Sequence, residues 1–322
     1  MTPVTLTPST LTPATHPTFY FVGVTTGSSS IRRVFPRWAD ELGLGDVELV
    51  GIDIEPHAPA DEYRTVVDFL ATDDRSLGAL VTTHKIDLFH AARESFDEVD
   101  PLAALMGEVS CLSKRQGQLR ASAKDPFSSG LAIDAFAPPA DWAGARRDVF
   151  VMGAGGSAIA MDWHLSRPER GDARPARVIV SDRSAERLAT AEAVHAQVAP
   201  DVPFTALLVE SAADNDAQLA SLNTGAFVVN ATGLGKDAPG SPLGSSALFP
   251  EAALVWELNY RGDLVFLEQA RAQQEARRLV VEDGWTYFVH GWTRVISEVF
   301  DIDIPTSGPR FERLSEIAVS TR

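Results

Sequence analysis

The sequence predicts an α/β protein. An N-terminal α/β domain is followed by a doubly wound, parallel-sheet domain and then by a helical C-terminal return. Three observations predict it. From Phe19 onward, short apolar runs alternate with amphipathic stretches, and strand-helix-strand alternation builds a largely parallel sheet covered on both faces. A mixed segment of prolines, alanines and charges, Ala135 to Asp148, interrupts that pattern. After it the pattern restarts at a glycine-rich stretch, VFVMGAGGSA.

In chain order, FYFVGV reads as a strand and VFPRWADELGL as a helix with Phe35, Trp38 and Leu42 on one face. VELVGIDI is a second strand, EYRTVVDFLAT a second helix and GALVTT a third strand. QLRASA is a further strand. Beyond the mixed segment, VFVMGAGG, ARVIVSD, FTALLVE, AFVVNATG and ALVWELNY are five strand candidates separated by helix-like or loop segments. A helical run rich in large apolar groups begins near Trp285. The expected organisation is a Thr/Pro-rich disordered tail over 1–18, a substrate-binding and catalytic domain over 19–138, a dinucleotide-binding domain over 139–281, and a C-terminal segment over 282–322 that packs back on the first domain or the cleft.

The chain has 322 residues, and 44 acidic against 28 basic side chains give a net charge of −16. Such a surface argues against partners held by phosphate charge, so nucleic acid and anionic membrane are excluded as expected ligands. No run of about 18 apolar residues is present to span a bilayer, and the first 18 residues lack the basic start and apolar core of a signal peptide. The expectation is a cytoplasmic protein, monomeric or homodimeric. The one cysteine, Cys111, makes no internal disulfide and reads as a small buried hydrophobe. No cluster of His, Asp and Glu has metal-ligand spacing, so no metal is expected.

The cofactor signal is the turn Gly153-Ala154-Gly155-Gly156-Ser157-Ala158 between a buried strand and a helix. The first glycine allows the tight turn, and the second lets a pyrophosphate approach backbone N–H groups at the positive helix end. Ala158 takes the place of a third, packing glycine. This is the Rossmann-type arrangement. Asp182 ends the next strand, VIVSD, where a carboxylate accepts hydrogen bonds from an adenosine ribose and repels a 2′-phosphate. That favours NAD. Arg183 beside it suits the phosphate of NADP, and the bland alternative is a helix cap followed by a surface arginine. In VVNATGLG, Asn230, Thr232, Gly233 and Gly235 form a hinged turn at the carboxyl end of another parallel strand. There it is either a ligand-facing loop or an ordinary strand exit.

Lys85 follows the run GALVTTH. A lysine at the end of a parallel strand, facing a cleft, can give a proton to a carbonyl oxygen receiving hydride and take it back in reverse, with partial burial lowering its proton affinity. The bland alternative is that Lys85 starts the helix IDLFHAARESF on a solvated face. Asp125, after the strand QLRASA, can hold the lysine by a charge-assisted hydrogen bond.

The motifs VTTHK, MGEVSCL, LRASAKDPFSSG, VMGAGGSA, VVNATGLG and VEDGWTYFVHGW run in the order of the shikimate and quinate dehydrogenase family, which the chain resembles over nearly everything after the tail. The resemblance implies a substrate domain, a Rossmann domain and a helical return, with NAD- or NADP-dependent oxidation of a cyclic polyol acid. It puts the catalytic lysine on Lys85 and its aspartate on Asp125. Candidate substrate contacts are Ser28, Ser29 and Ser30, in the region of the family's serine pair, with Thr82 and Thr83 before the lysine and Ser110 in place of the family's asparagine. His290 lies beside Gly291, which takes the family's glutamine position, and either enters the cleft as a donor or packs with Trp285, Tyr287 and Trp292. LVTTHK lacks the family's asparagine and proline, and Ala123-Lys124-Asp125 stands for Asn-Thr-Asp. These departures bring in a second substrate class, a non-shikimate sugar-like polyol. A different kind of function, a dinucleotide-binding sensor or scaffold without turnover, has no use for a Lys85 and Asp125 pair.

Overall fold

The computed structural model describes residues 5–236 and 238–321. The chain divides into two units, 1–124 with 289–322 and 125–288.

The first unit is built on a seven-stranded mixed sheet. Its strands are β1 (Thr5–Leu6), β2 (Thr18–Gly23), β3 (Glu48–Asp53), β4 (Ser76–Val81), β5 (Glu98–Val99), β6 (Cys111–Arg115) and β7 (Gln118–Ser122), in the order β1-β3-β2-β4-β6-β7-β5. The first four are mutually parallel, as the strand-helix-strand alternation requires. The hairpin β6-β7 departs from the parallel scheme, with β6 antiparallel to both β4 and β7. Its two-residue turn is Gln116-Gly117, both with positive φ, a turn whose twist matches that of the flanking strands.

β2 is buried throughout because the helices Ala60–Thr72 and Ile31–Leu42 cover the sheet with apolar faces. The C-terminal helix Pro309–Val319 is fastened to Ile31–Leu42 where the indole of Trp38 donates to the Leu314 carbonyl at 2.8 Å. Cys111 is fully buried, and burial pushes its thiol up to about 12.

The expected disordered tail is corrected in part. Residues 1–4 lie outside the described residues, but Thr5–Leu6 adds an edge strand to β3, and the Ala14 N–H donates to the Asp73 carboxylate at 3.1 Å. Prolines break helices but tolerate a sheet edge, so a Thr/Pro-rich composition does not forbid one short edge strand.

The second unit carries β8 (Asp148–Met152), β9 (Arg177–Asp182), β10 (Phe204–Leu208), β11 (Phe227–Asn230), β12 (Leu254–Glu257) and β13 (Val280–Glu282). Every pairing is parallel and the order is β10-β9-β8-β11-β12-β13. Numbered within the unit, that is 3-2-1-4-5-6, the doubly wound arrangement, with the reversal of strand order between β8 and β11. The sixth strand was not legible in the sequence, because Val280–Glu282 is three residues long and only partly buried.

The passage between units falls at Asp125, earlier than the proline-rich segment placed it. The helix Asp125–Phe136 belongs with the second unit because it packs on the helix Gly156–Ser166. A Cβ at Gly130 would come within 2.3 Å of the His164 ring, so the helices meet where glycine leaves room, and Asp134 accepts from His164 and Arg170 beside that contact. The return passage falls at Val289, inside the helix Trp285–Phe300.

Among the described residues no helix is long and apolar enough to cross a membrane. Gly78 offers a test of the first sheet. Its φ is +135°, and a Cβ there would lie 2.2 Å from the Leu112 carbonyl oxygen. Gly78→Ala should cost about 2–4 kcal/mol through strain and clash. The loss should be read as hydrogen-exchange protection falling at Leu80, while protection on β8 stays at the parent level.

Candidate functional site

In the second unit the site grows from the ends of β8, β9, β11 and β12. Leaving β8, the chain turns at Gly153, whose φ of +104° puts a would-be Cβ 2.7 Å from the Ala231 carbonyl oxygen. Only glycine fits both that dihedral and that approach. The Ala154 N–H donates to Oδ2 of Asp182 at 2.8 Å, and the Ser184 N–H donates to Oδ1 at 2.8 Å. Asp182 therefore ties the glycine turn to the end of β9, a role that the ribose reading did not include. Arg183 beside it is exposed.

Gly155, which has no side chain to cap with, precedes the helix Gly156–Ser166, and among the described residues nothing lies within 4 Å of where its Cβ would be. Helix N–H groups and open space over a glycine are what a pyrophosphate needs. The residues present fit a dinucleotide. Ala158 is buried, and Ser157 turns its hydroxyl toward Oδ2 of Asp125 at 3.3 Å.

Asp125 opens its helix almost buried, with 6% of its surface exposed. Its Oδ2 also accepts from the Tyr287 hydroxyl at 2.8 Å, and Tyr287 lies 3.1 Å from Ser157 Oγ with its ring edge-on to Trp256. The carboxylate is thus held by one hydroxyl from the glycine-turn helix and one from Tyr287. Tyr287 had registered in the sequence only as an aromatic in a packed run.

The Asn230 to Gly235 turn is a hydrogen-bonded unit. Asn230 Oδ1 accepts from the Thr232 N–H at 3.0 Å and the Thr232 hydroxyl at 2.6 Å, and the Leu234 N–H donates to Thr232 Oγ1 at 3.2 Å. Gly233 is exposed at the tip, and Gly235 has a φ of +89°. Behind the turn lies Glu257, the fully buried last residue of β12, which the sequence reading passed over. Its carboxylate accepts from Asn230 Nδ2 at 2.7 Å and from the backbone N–H and Nδ2 of Asn259 at 2.8 and 2.7 Å. Burial pushes its pKa up to about 7, even though those donors favour the charged form. An acid closing a run of four buried strand residues was the available signal.

In the first unit, β4 ends at Val81, and Lys85 is the first residue of the helix Lys85–Ala91. The strand thus stops before His84, which caps that helix. Thr82 gives its N–H to the Val22 carbonyl, and Thr83 is exposed at a φ of +35°, in the left-handed region where a β-branched residue is strained. His84 is buried, its Nδ1 lies 3.3 Å from the Tyr63 hydroxyl, and burial lowers its pKa. Ser110 is buried with Oγ accepting the Lys124 N–H at 2.6 Å.

Ser29 and Ser30 are buried, and Ser28 is exposed with its hydroxyl donating to the Thr25 carbonyl. Ser30 stands at the N-cap of Ile31–Leu42 without a side-chain cap bond. His290 is buried and stacks on Phe311, with ring centroids 4.5 Å apart at 10°. Burial, reinforced by Arg294, lowers its pKa to about 4, which leaves it neutral near pH 7.

The chain matches no protein-family model and no curated relative. Solved structures share its fold over nearly the whole length. Shikimate dehydrogenase 1 from Peptoclostridium difficile superposes with a TM-score of 0.70 at 16% identity, covering 94% of this chain and 98% of that one. Quinate dehydrogenase from Corynebacterium glutamicum, solved in complex with NAD, gives 0.68 at 20% identity over 95% and 99%. Shikimate 5-dehydrogenase from Thermus thermophilus, in complex with NADP(H) and shikimate, gives 0.66 at 22% identity over 95% and 99%. At these identities the likeness is one of fold.

Asn230→Ala tests the turn. Removing one donor from the buried Glu257 carboxylate should cost about 1–3 kcal/mol of stability. A carboxyl whose folded pKa lies above its unfolded value binds more protons when native, so its contribution to stability falls as pH rises from about 4.5 to about 7. Without the Asn230 donor that fall should extend to higher pH. Urea melts at pH 5, 7 and 8.5 should therefore show the deficit of Asn230→Ala widening with pH.

Proposed function

We propose that this chain is an NAD(P)-dependent oxidoreductase that moves a hydride between a nicotinamide cofactor and a hydroxyl or ketone of a cyclic polyol acid. The observation that carries the reading is the glycine turn at the strand-order reversal of a 3-2-1-4-5-6 sheet, with an open helix N-terminus above Gly155. Ligands of such sheets bind at the carboxyl ends of the strands, at that reversal. The named neighbours solved with NAD, or with NADP(H) and shikimate, support the same chemistry.

The turn Gly153 to Ala158 would hold the pyrophosphate, Asp182 the adenosine ribose, and the Asn230, Thr232, Gly233 and Gly235 turn the nicotinamide side. The cofactor supplies the hydride acceptor or donor. Lys85 takes the proton of the substrate hydroxyl on oxidation and returns it to the carbonyl oxygen on reduction. Asp125, fixed by Tyr287 and Ser157, is the carboxylate that orients and stabilises the charged amine. Ser28, Ser29, Ser30, Thr82, Thr83, Ser110 and His290 are the polar groups proposed to read the substrate. A sugar-like polyol is the second substrate class, because Ser110, Ala123 and Gly291 stand where the dehydrogenases that the chain resembles carry other polar groups. Cytoplasmic location, with no nucleic acid partner, completes the reading.

Screening polyol acids and sugar-like polyols with NAD and with NADP, followed by absorbance of the reduced cofactor, tests it. Lys85→Ala should lower turnover by about 10²–10⁴-fold with cofactor affinity unchanged. Tight cofactor binding without turnover across the whole screen would point to a sensor instead. Asp182 leads to a second expectation: NADH should bind tighter than NADPH, and Asp182→Ser should narrow the ratio in fluorescence titrations. A parent protein that prefers NADPH would reverse that assignment.

A further inference from the structure

Glu108 is fully buried in the first unit, and nothing in the proposed reaction uses it. It follows Gly107, whose φ of +62° ends the helix Pro101–Met106, and it precedes the core residue Val109. The backbone places this segment. The Val109 N–H donates to the carbonyl of Lys85 at 3.1 Å, and the Val81 N–H donates to the Ser110 carbonyl at 3.0 Å. Residues 108–110 therefore run alongside the turn that joins β4 to Lys85.

A carboxylate withdrawn from water must be protonated or matched by a cation and donors. The charged and titratable groups on the surrounding elements have engagements of their own. Lys124 pairs with Glu298 at 3.3 Å, and Lys114 donates to the Asp73 carbonyl at 2.8 Å. Arg120 reaches Glu98 and Glu298, and Arg64 bonds Asp61 and the Ala91 carbonyl. Asp87, on the helix of Lys85, pairs with His57 at 3.0 Å, and Asp100 accepts the Ala103 and Ala123 N–H groups. Burial lowers the proton affinity of His84, and His90, whose Nε2 would lie 3.4 Å from a Cβ on Gly107, is exposed. Lys85 is the cation whose own backbone is bonded into the Glu108 segment.

We propose that Glu108 is a positioning residue for Lys85, the buried counter-charge that keeps its amine protonated and holds it at the start of the helix Lys85–Ala91. The proposal deepens the reading of Lys85 as the general acid/base and rests on it. A negative neighbour favours the ammonium form, so removing it lowers the proton affinity of the amine, by about 1–3 pH units for a partner within ion-pair range.

The test reads the amine directly. Trace acetylation by acetic anhydride across pH 6–11, followed by mass spectrometry, gives the pH midpoint of Lys85 in the full chain without any substrate. In Glu108→Gln the midpoint should fall by at least one unit, and in Glu108→Asp, which keeps the charge, it should return toward the parent. If Glu108→Gln does not fold, the parent decides. A midpoint at or above the ordinary lysine value of about 10.4 supports the counter-charge, and one well below it overturns it. A folded Glu108→Gln with the parent's midpoint also overturns it. Because acetylation needs no turnover, a shifted midpoint in a protein that oxidises nothing would sink the dehydrogenase reading alone. Where turnover is found, the acid limb of the oxidation profile, which needs the neutral amine, should move to lower pH in Glu108→Gln by the same amount.

Discussion

The carboxyl edge of the second sheet is set by one close approach, that of Gly153 to the carbonyl of Ala231. A side chain at Gly153 would collide with that carbonyl, and the φ of +104° is one that other residues rarely adopt. With glycine there, β8 leaves the sheet between its neighbours β9 and β11: the Gly153 N–H reaches the Ser181 carbonyl of β9 at 2.7 Å, and the Ala231 N–H, just past β11, reaches the Met152 carbonyl at 2.8 Å. The rest follows in sequence. The turn presents Ala154 to Asp182, the helix starts at Gly156, and its first hydroxyl, on Ser157, meets Asp125 and Tyr287. The helix that the glycine turn starts is thus tied by the Ser157 hydroxyl to a carboxylate on another helix.

Two withdrawn carboxylates, one in each unit, are handled by different means. Glu257 is surrounded by amide donors from Asn230 and Asn259, neutral groups that stabilise its charge without cancelling it, and its proton affinity stays high. Glu298, half-buried in the first unit, faces Lys124 and Arg120. Burial alone would raise its pKa, but those cations hold it below the usual carboxylate range. Neutral donors leave Glu257 titrating near neutrality, whereas cations keep Glu298 charged. The same distinction underlies the assignment of Glu108, where a matched cation would keep both partners ionised.

The long elements were legible because their patterns repeat. β2, β3, β4 and β8 to β12 are apolar runs that end where the chain meets glycine, acid or polar turn residues, and the glycine turn stood out because strand, turn and helix agreed. Short elements were not legible: Thr5–Leu6, Glu98–Val99 and Val280–Glu282 are too brief for any period to show. The unit boundary was misplaced for a related reason. Prolines mark a loop but not which core the preceding helix joins, and Asp125–Phe136 joins the second unit through Gly130 and Asp134. Glu257, Tyr287 and Glu108 were missed because their roles arise from what surrounds them in space.

What the first unit offers a substrate follows from hydrogen-bond bookkeeping. Ser110 Oγ already accepts the Lys124 N–H, which leaves its proton and one lone pair. An asparagine side chain would present both a donor and an acceptor at that place. Under the dehydrogenase reading, Ser110 can still both donate to and accept from a substrate hydroxyl, but with shorter reach than an asparagine. His290, neutral and stacked on Phe311, adds no positive charge to hold a carboxylate. Two arginines follow the serines at 28–30. Arg32 is committed to the Leu49 carbonyl at 2.9 Å, and Arg33 to the Thr321 carbonyl at 2.9 Å. Each guanidinium thus has a backbone carbonyl among its partners, and under the dehydrogenase reading the serines at 28–30 would add neutral hydrogen bonds that a polyol can use.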